Sequence, residues 1–296
     1  MDTKKWRVLV TAVDLGSFSK AAELLGCTQS GLTHMMNTLE QEMGVNLLIR
    51  GFDGIRLTSD GEKLLPYIRA FLRAGTELER AAGELGGGKQ QEEKTLRVAC
   101  YTSMRLEWLP GILRLFSERH PDVRVDARDG SVDEVFSLVE NGLVDVGMAS
   151  RQTPMHCGWI PLADDPLRVV VPADYPAEQG ADGQDFIPLT DLGGKTFLMP
   201  SLGFDRDIMR ALNRPKFKPI IRTTLVDDAS VVRMVENHEG VTMLSELVLR
   251  GITGNFRALP TDPAFSRELG LAVPSLKNLN PVTRDFIACA EQYLKG

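Results

Sequence analysis

Between Ser17 and Arg56, capping residues, apolar runs and glycines follow one another so closely that few folds accommodate them. Ser17 can cap a helix over Phe18–Leu25, and Gly26 stands where a left-handed residue would end it. Thr28 can cap a second helix, from Gln29 to about Met43, which Gly44 closes. A two-residue link between helices this short makes them cross steeply. That is helix-turn-helix geometry, which aims the second helix into a DNA major groove. A hairpin follows: Leu47-Leu48-Ile49, a turn through Asp53-Gly54, then Ile55-Arg56-Leu57. Asp-Gly between apolar runs is a strong hairpin signal, and the five-residue tip implies more than a minimal turn. The expectation is a winged helix-turn-helix, and with it a transcription factor.

Charge weighs against this reading. The 296-residue chain carries a formal charge of −6, and residues 1–85 hold ten Lys/Arg against eleven Asp/Glu. Non-specific DNA affinity comes mainly from neutralised phosphates, so a near-neutral domain must concentrate its cations locally and bind as a dimer. Lys20 on the first helix, Arg50 and Arg56 on the wing, and Lys63 and Arg69 on the following helix are the candidates.

Ser59 with Glu62 matches a capping box at the start of a long helix. Leu64, Ile68, Phe71, Gly75, Leu78, Ala82 and Leu85 form a heptad seam over about three heptads, which favours self-association over packing within one domain. Gly86-Gly87-Gly88 and the stretch to Lys94 read as a flexible linker.

Beyond Lys94, strands alternate with helices. Thr95–Tyr101, Val123–Ala127 and Val144–Ala149 read as strands, separated by a helix through Leu106, Leu109, Leu113 and Phe116 and another through Val132–Val139. This order implies a parallel sheet with right-handed crossovers. The second half repeats the scheme, with strands at Thr196–Met199, Ile220–Leu225 and Val241–Leu244 and helices near Asp205–Leu212 and Ser230–Glu239. The run from Ser131 to Gly142 and the run from Ser230 to Gly240 share Val-Glu-Asn and a following strand, which points to two related α/β lobes. A final helix, Pro281–Leu294, returns to the first lobe. The chain would cross between lobes near Pro161–Pro166 and again near Pro263–Leu269, making a hinge and a cleft. The expected domains are a winged helix-turn-helix at 1–60, a dimerisation helix at 61–88, one lobe from 92–162 with 266–296, and a second at 163–265.

Several motifs in order resemble the LysR-type transcriptional regulators over essentially the whole length. They are the run GSFSKAAELL from Gly16 to Leu25, Thr28-Gln29-Ser30, Leu39-Glu40 with Gly44, and Leu47-Leu48-Ile49-Arg50. Leu57-Thr58 with Gly61, Leu109-Pro110 and Asp145-Val146-Gly147 add to them. The resemblance implies a two-lobed effector domain like periplasmic binding proteins and a homodimer or homotetramer. It further implies promoter DNA, a small-molecule effector and RNA polymerase as partners. By position it places Thr28, Gln29, Ser30, Thr33 and His34 at the DNA. Gln can bond adenine in bidentate fashion, and Ser or Thr can bond phosphates or bases. His34 stands where the family commonly has arginine, and Gly31 costs the helix roughly 1 kcal/mol against alanine. The Met35-Met36 pair is expected in the core.

Ligands of open α/β sheets sit beyond the carboxyl ends of strands, at helix N-termini. Here those places are Thr102, Ser103 and Met104, then Gly130-Ser131, then Ser201-Leu202-Gly203, with Asp227 after the Ile220–Leu225 strand. Hydroxyls and helix N-termini favour a small carboxylate-bearing metabolite, with Phe204 as an apolar wall. Plain helix capping is the bland alternative for each serine.

The four histidines are scattered, no catalytic motif appears, and Asp164-Asp165 looks like a loop pair, so an enzyme is not expected. The four separated cysteines suggest neither disulfides nor zinc, and no metal or cofactor is expected. Cys100, at the end of a strand near the expected cleft, leaves a redox-sensing regulator as the alternative. No run approaches a membrane span of about 20 residues, and the N-terminus lacks the apolar core of a signal peptide, so the expected location is the cytoplasm.

Overall fold

Trp6, Val8, Leu9, Val10 and Ala12 form the buried face of a first helix, α1 (Thr3–Asp14), that the capping and glycine pattern does not announce. It appears in a computed structural model that describes residues 3–51, 54–85, 94–181, 183–199, 206–213, 219–223, 227–277 and 279–295. After α1 come α2 (Phe18–Leu25) and α3 (Gln29–Met43), each with the caps the sequence offers. The Ser17 hydroxyl accepts from Lys20 N and the Thr28 hydroxyl from Gly31 N, while Gly26 and Gly44 adopt left-handed φ of 64° and 65°. Leu32, Met36 and Leu39 turn inward from α3 onto α1 and α2, with Met35 partly buried beside them.

The wing is β1 (Leu48–Gly51) against β2 (Gly54–Leu57), antiparallel, with Gly51 opposite Gly54. The strands therefore run further than expected: Arg50 and Gly51 are paired rather than part of a five-residue tip, and Asp53 lies outside the described residues. Gly54 has φ +101°, and a Cβ there would stand 2.5 Å from Gly16 O, which Ile55 N also bonds. Only glycine lets the wing close onto the start of the helix-turn-helix.

α4 (Ser59–Leu85) is capped one residue earlier than expected. Thr58 Oγ1 accepts from Gly61 N at 3.0 Å and donates to Asn46 O at 2.7 Å, so Thr58 both starts the helix and ties it to the turn before the wing. The expected seam divides. Its Ile68 belongs to the winged-helix core, together with Leu72 outside the seam, whereas its Phe71 and Leu78 are exposed, Leu78 at 71%, as is Tyr67 beside them at 74%. The glycine run at 86–88 lies outside the described residues.

Two compact units follow from the packing: Met1–Leu162 with Gly270–Gly296, and Ala163–Leu269. In the first, β3 (Lys94–Cys100) pairs in parallel with both β4 (Val123–Asp129) and β5 (Val146–Ser150). The single expected helix between β3 and β4 is two, α5 (Thr102–Glu107) and α6 (Leu109–Arg119), joined at Trp108. Between β4 and β5 lies α7 (Val132–Glu140), whose Val135, Leu138 and Val139 are buried in the lobe core.

The chain enters and leaves the second unit in two strands, β6 (Gly158–Pro172) and, later, β14 (Phe265–Val273). Pro161, Pro166 and Asp164-Asp165 made the first of these look like a loop. The buried Asp165 is instead satisfied within the second unit, accepting from Arg267 Nε at 2.9 Å and Leu247 N at 3.0 Å. β7 (Glu178–Gln179) and β8 (Asp185–Pro188) lead to β9 (Thr196–Met199), which pairs in parallel with β10 (Ile220–Thr223) after α8 (Arg206–Leu212). Then come α9 (Asp228–Glu236), β11 (Thr242–Ser245), α10 (Glu246–Leu249), β12 (Phe256–Leu259) and β13 (Thr261–Asp262). β11 and β12 both pair antiparallel with β6, and β13 pairs with β8. The last helix, α11 (Pro281–Lys295), packs Phe286 edge-on against Phe116 of α6 in the first unit.

Candidate functional site

The outward face of α3 carries an unbroken polar row. Gln29, Ser30, His34 and Asn37 are exposed and Thr33 is half-buried, opposite the buried Leu32, Met36 and Leu39. Thr33 Oγ1 is bonded to Gln29 O at 3.0 Å, and the Thr28 hydroxyl, besides capping, lies 3.4 Å from Ser30 Oγ. Gly31 has a local reason: a Cβ there would stand 3.0 Å from Thr28 Oγ1 and crowd the cap. The helix penalty of that glycine is set against an intact N-terminus, the end that meets base edges in a helix-turn-helix.

The cations are not equivalent. Lys20 and Arg56 are exposed, with no side-chain partner among the described residues. Arg50 instead lies over the Phe18 ring at 5.4 Å and donates to Asn37 Oδ1 at 2.8 Å and Glu40 Oε2 at 3.3 Å. Glu40 Oε1 in turn accepts from Leu47 N and Leu48 N. Arg50 therefore fixes the wing against α3. Lys63 pairs with Asp60 one turn away. Arg69 corrects the expectation outright: it is 7% exposed and bridges Asp14 at 2.6 Å and Glu140, so it cannot meet a phosphate.

Thr102, Ser103, Met104 and Ser131 lie at the carboxyl ends of β3 and β4 in the first unit. Thr102 Oγ1 is 3.3 Å from Asp129 Oδ1, and Arg105 Nε is 3.2 Å from the same oxygen. Ser103 and Met104 are buried, and α5 has no side-chain cap. Ser131 closes a full capping box with Glu134. In the second unit Asp227 caps α9 through Ser230 N at 2.8 Å, and that hydrogen bond holds its carboxyl below the usual range. Ser201, Gly203 and Phe204 lie outside the described residues. Asp129 and Arg105 were missed. A strand-ending Asp and a mid-helix Arg carry no local signal, and only folding makes them neighbours.

Cys100 is fully buried, and that burial drives its thiol far above the ordinary value. Cys157 is pushed up to about 12, first by burial and then by Glu140. Among the described residues no cluster of His, Cys, Asp and Glu could hold a metal, and no helix is long and apolar enough to cross a membrane.

Residues 3–62 match the family described as bacterial regulatory helix-turn-helix protein, lysR family, and residues 89–295 match the LysR substrate binding domain. The chain is 25% identical to the protein named "Uncharacterized HTH-type transcriptional regulator YvbU" of Bacillus subtilis (strain 168), over 99% of this chain and 98% of that one. Among solved structures it is similar to full-length BenM, with a TM-score of 0.57 and 22% identity over 100% and 96% of the two chains. It is also similar to the CcmR regulatory domain of Synechocystis PCC6803 in complex with 2-PG, with a TM-score of 0.59 and 21% identity, over 69% of this chain and 98% of that one.

Proposed function

Because this chain belongs to the lysR family of bacterial helix-turn-helix transcriptional regulators, we propose that it reads promoter DNA through Thr28, Gln29, Ser30, Thr33 and His34. Lys20 and Arg56 supply phosphate contacts, and Arg50 mainly holds the wing in place. The observation that carries this reading is the capped N-terminus of α3 with its continuous polar face. The chain is a regulator with an effector-binding domain, not an enzyme.

The effector in this proposal is a small carboxylate-bearing metabolite. It would be held by Thr102, Ser103, Met104, Ser131 and Asp227, together with Ser201, Gly203 and Phe204. The hydroxyls and helix N-termini at these strand ends are what support an anionic ligand. Ligand binding would shift the population of two conformations, and only differential affinity for the two sets the size of the response. A homodimer, or a pair of dimers, working in the cytoplasm with RNA polymerase completes the proposal. The exposed Tyr67, Phe71 and Leu78 stripe supports the dimer. The domain boundaries at 60, 88, 162 and 265 are part of the same proposal. The redox alternative at Cys100 is the weaker one, since a buried thiol held in its protonated form reacts poorly with oxidants.

Footprinting on the intergenic DNA beside its own gene, with and without a panel of carboxylic acids, tests both halves. A protected site whose boundaries change with one acid is the expected result. Protection by none of the fragments at low salt refutes the DNA half. A response confined to cationic or fully apolar compounds refutes the effector half.

A further inference from the structure

One buried polar cluster lies away from both proposed binding regions. It joins the helix-turn-helix module to the first lobe of the effector domain, within a single compact unit. Arg69 of α4 stands between Asp14 of α1 and Glu140 at the end of α7, bonding both. Beside it the Asn141 side chain, with no exposed surface, reaches Ser137 Oγ at 3.2 Å and both Thr11 Oγ1 and Asp14 Oδ2 at 3.4 Å. The second Glu140 oxygen accepts from His156 N at 2.9 Å. Gly142 has φ +66°, and a Cβ there would come within 2.8 Å of Thr76 Oγ1 on α4, which Arg7 of α1 also bonds. Leu24 of α2 packs on the lobe core formed by Val135, Leu138 and Val139. Ions buried this deeply are tolerated only in a fixed arrangement, because separating them leaves an unpaired charge out of water.

We infer that Glu140 and Asn141 are positioning residues that fix the helix-turn-helix module of a chain upon its own effector domain, with α7 as the connecting rod. α7 has 9 residues and so is roughly 14 Å long. Its capped start, Ser131, lies in the proposed effector region, and its far end is this cluster. The docking stands on the cluster alone. Only the signalling role of α7 rests on the effector proposal.

Glu140→Gln in the full-length protein keeps the shape and the acceptor for His156 N but removes the charge that holds Arg69, while Asp14 still pairs with it. Two readouts separate positioning from plain stability. In the free protein, amide exchange over residues 8–14 should quicken by about ten-fold while β3 and α11 keep their wild-type rates, because local opening needs no global unfolding. On DNA, affinity for a single half-site should stay within about two-fold, while the bend measured by circularly permuted intergenic fragments changes. Asn141→Ala should act in the same direction, and Glu140→Asp should restore part of the wild-type exchange. Wild-type exchange over residues 8–14 in both Glu140→Gln and Asn141→Ala would overturn the docking. Quickened exchange with an unchanged bend would confine the cluster to stability and overturn the positioning role. If the wild-type chain binds no DNA, the regulator proposal fails, and the exchange arm still decides the docking.

Discussion

The same three-residue helix ending, Val-Glu-Asn, occurs in both lobes, in Val139-Glu140-Asn141-Gly142 and Val235-Glu236-Asn237-His238, with different surroundings. Locally the two are alike. Each helix stops at an Asn with φ −90°, and the next residue turns left-handed, Gly142 at +66° and His238 at +60°. Beyond that they diverge. Glu140 and Asn141 are buried against α1 and α4, whereas Glu236 pairs with Arg233 of its own helix and accepts from Asn255 N just before β12, and Asn237 bonds Arg233 O. Val-Glu-Asn is therefore a way of ending a helix, and docking onto the helix-turn-helix module through a buried arginine is a second use, made in the first lobe. What differs is the company brought by α1 and α4, and above all Arg69.

The largest test of this contrast is the cation. Arg69→Met leaves Asp14 and Glu140 buried without their counter-ion and should lower stability by about 3–5 kcal/mol, read from urea unfolding. Arg233→Met, the matching change in the second lobe, should leave the midpoint almost unmoved, since Arg233 is exposed. Equal losses would end the comparison. Next comes Asn141→Ala, which strips a partner from Thr11, Asp14 and Ser137 and should lower stability by about 1–3 kcal/mol. Asn237→Ala should change it far less, because water can replace an exposed amide.

These expectations separate what could be read along the chain from what could not. Ser17, Gly26, Thr28 and Gly44 act on groups within five residues, so their caps were legible, as was the pairing of the two wing strands. The polar face of α3 followed from helical spacing. Arg69 reads in the sequence as a phosphate contact because its partners are 55 and 71 residues away. No local pattern distinguishes a solvated arginine from one that a distant carboxylate draws inward. The strand containing Asp164-Asp165 was hidden for the same reason, its counter-ion Arg267 lying 102 residues on. Of the proposed effector region, the strand ends and helix caps were visible. Asp129 beside Thr102 and Arg105 was not.

Acidity probes the surroundings of the two helix endings with opposite signs. Burial, opposed by Arg69 and reinforced by Glu140, holds the Asp14 carboxyl above its ordinary 3.8. The folded chain then keeps that proton more readily than the unfolded one. Stability from this group is complete below 3.8 and declines as pH rises through the raised folded value. Glu236 is held below its ordinary 4.5, first by its hydrogen bond from Arg233. Its contribution is complete above 4.5 and is lost as pH falls through the lowered value. Urea midpoints at stepped pH should show Asp14→Asn flattening the decline above 3.8 and Glu236→Gln removing a loss on acidification. A decline that survives Asp14→Asn unchanged would place its source elsewhere.

The smallest effects come from the left-handed residue itself, and there too the lobes should disagree in sign. His238 carries a Cβ into a conformation that penalises it, and its ring is exposed, with Asp174 Oδ1 3.9 Å away. His238→Gly removes that penalty and should raise stability by about 1 kcal/mol, less the entropy a glycine adds to the unfolded chain. At Gly142 there is no such slack. Gly142→Ala adds a methyl 2.8 Å from Thr76 Oγ1 in the same strained conformation, so both α7 and the face it docks on must give. Thermal unfolding of the pair should therefore move in opposite directions. Should Gly142→Ala be as harmless as His238→Gly, then α7 does not press on α4, and the second use of this helix ending disappears.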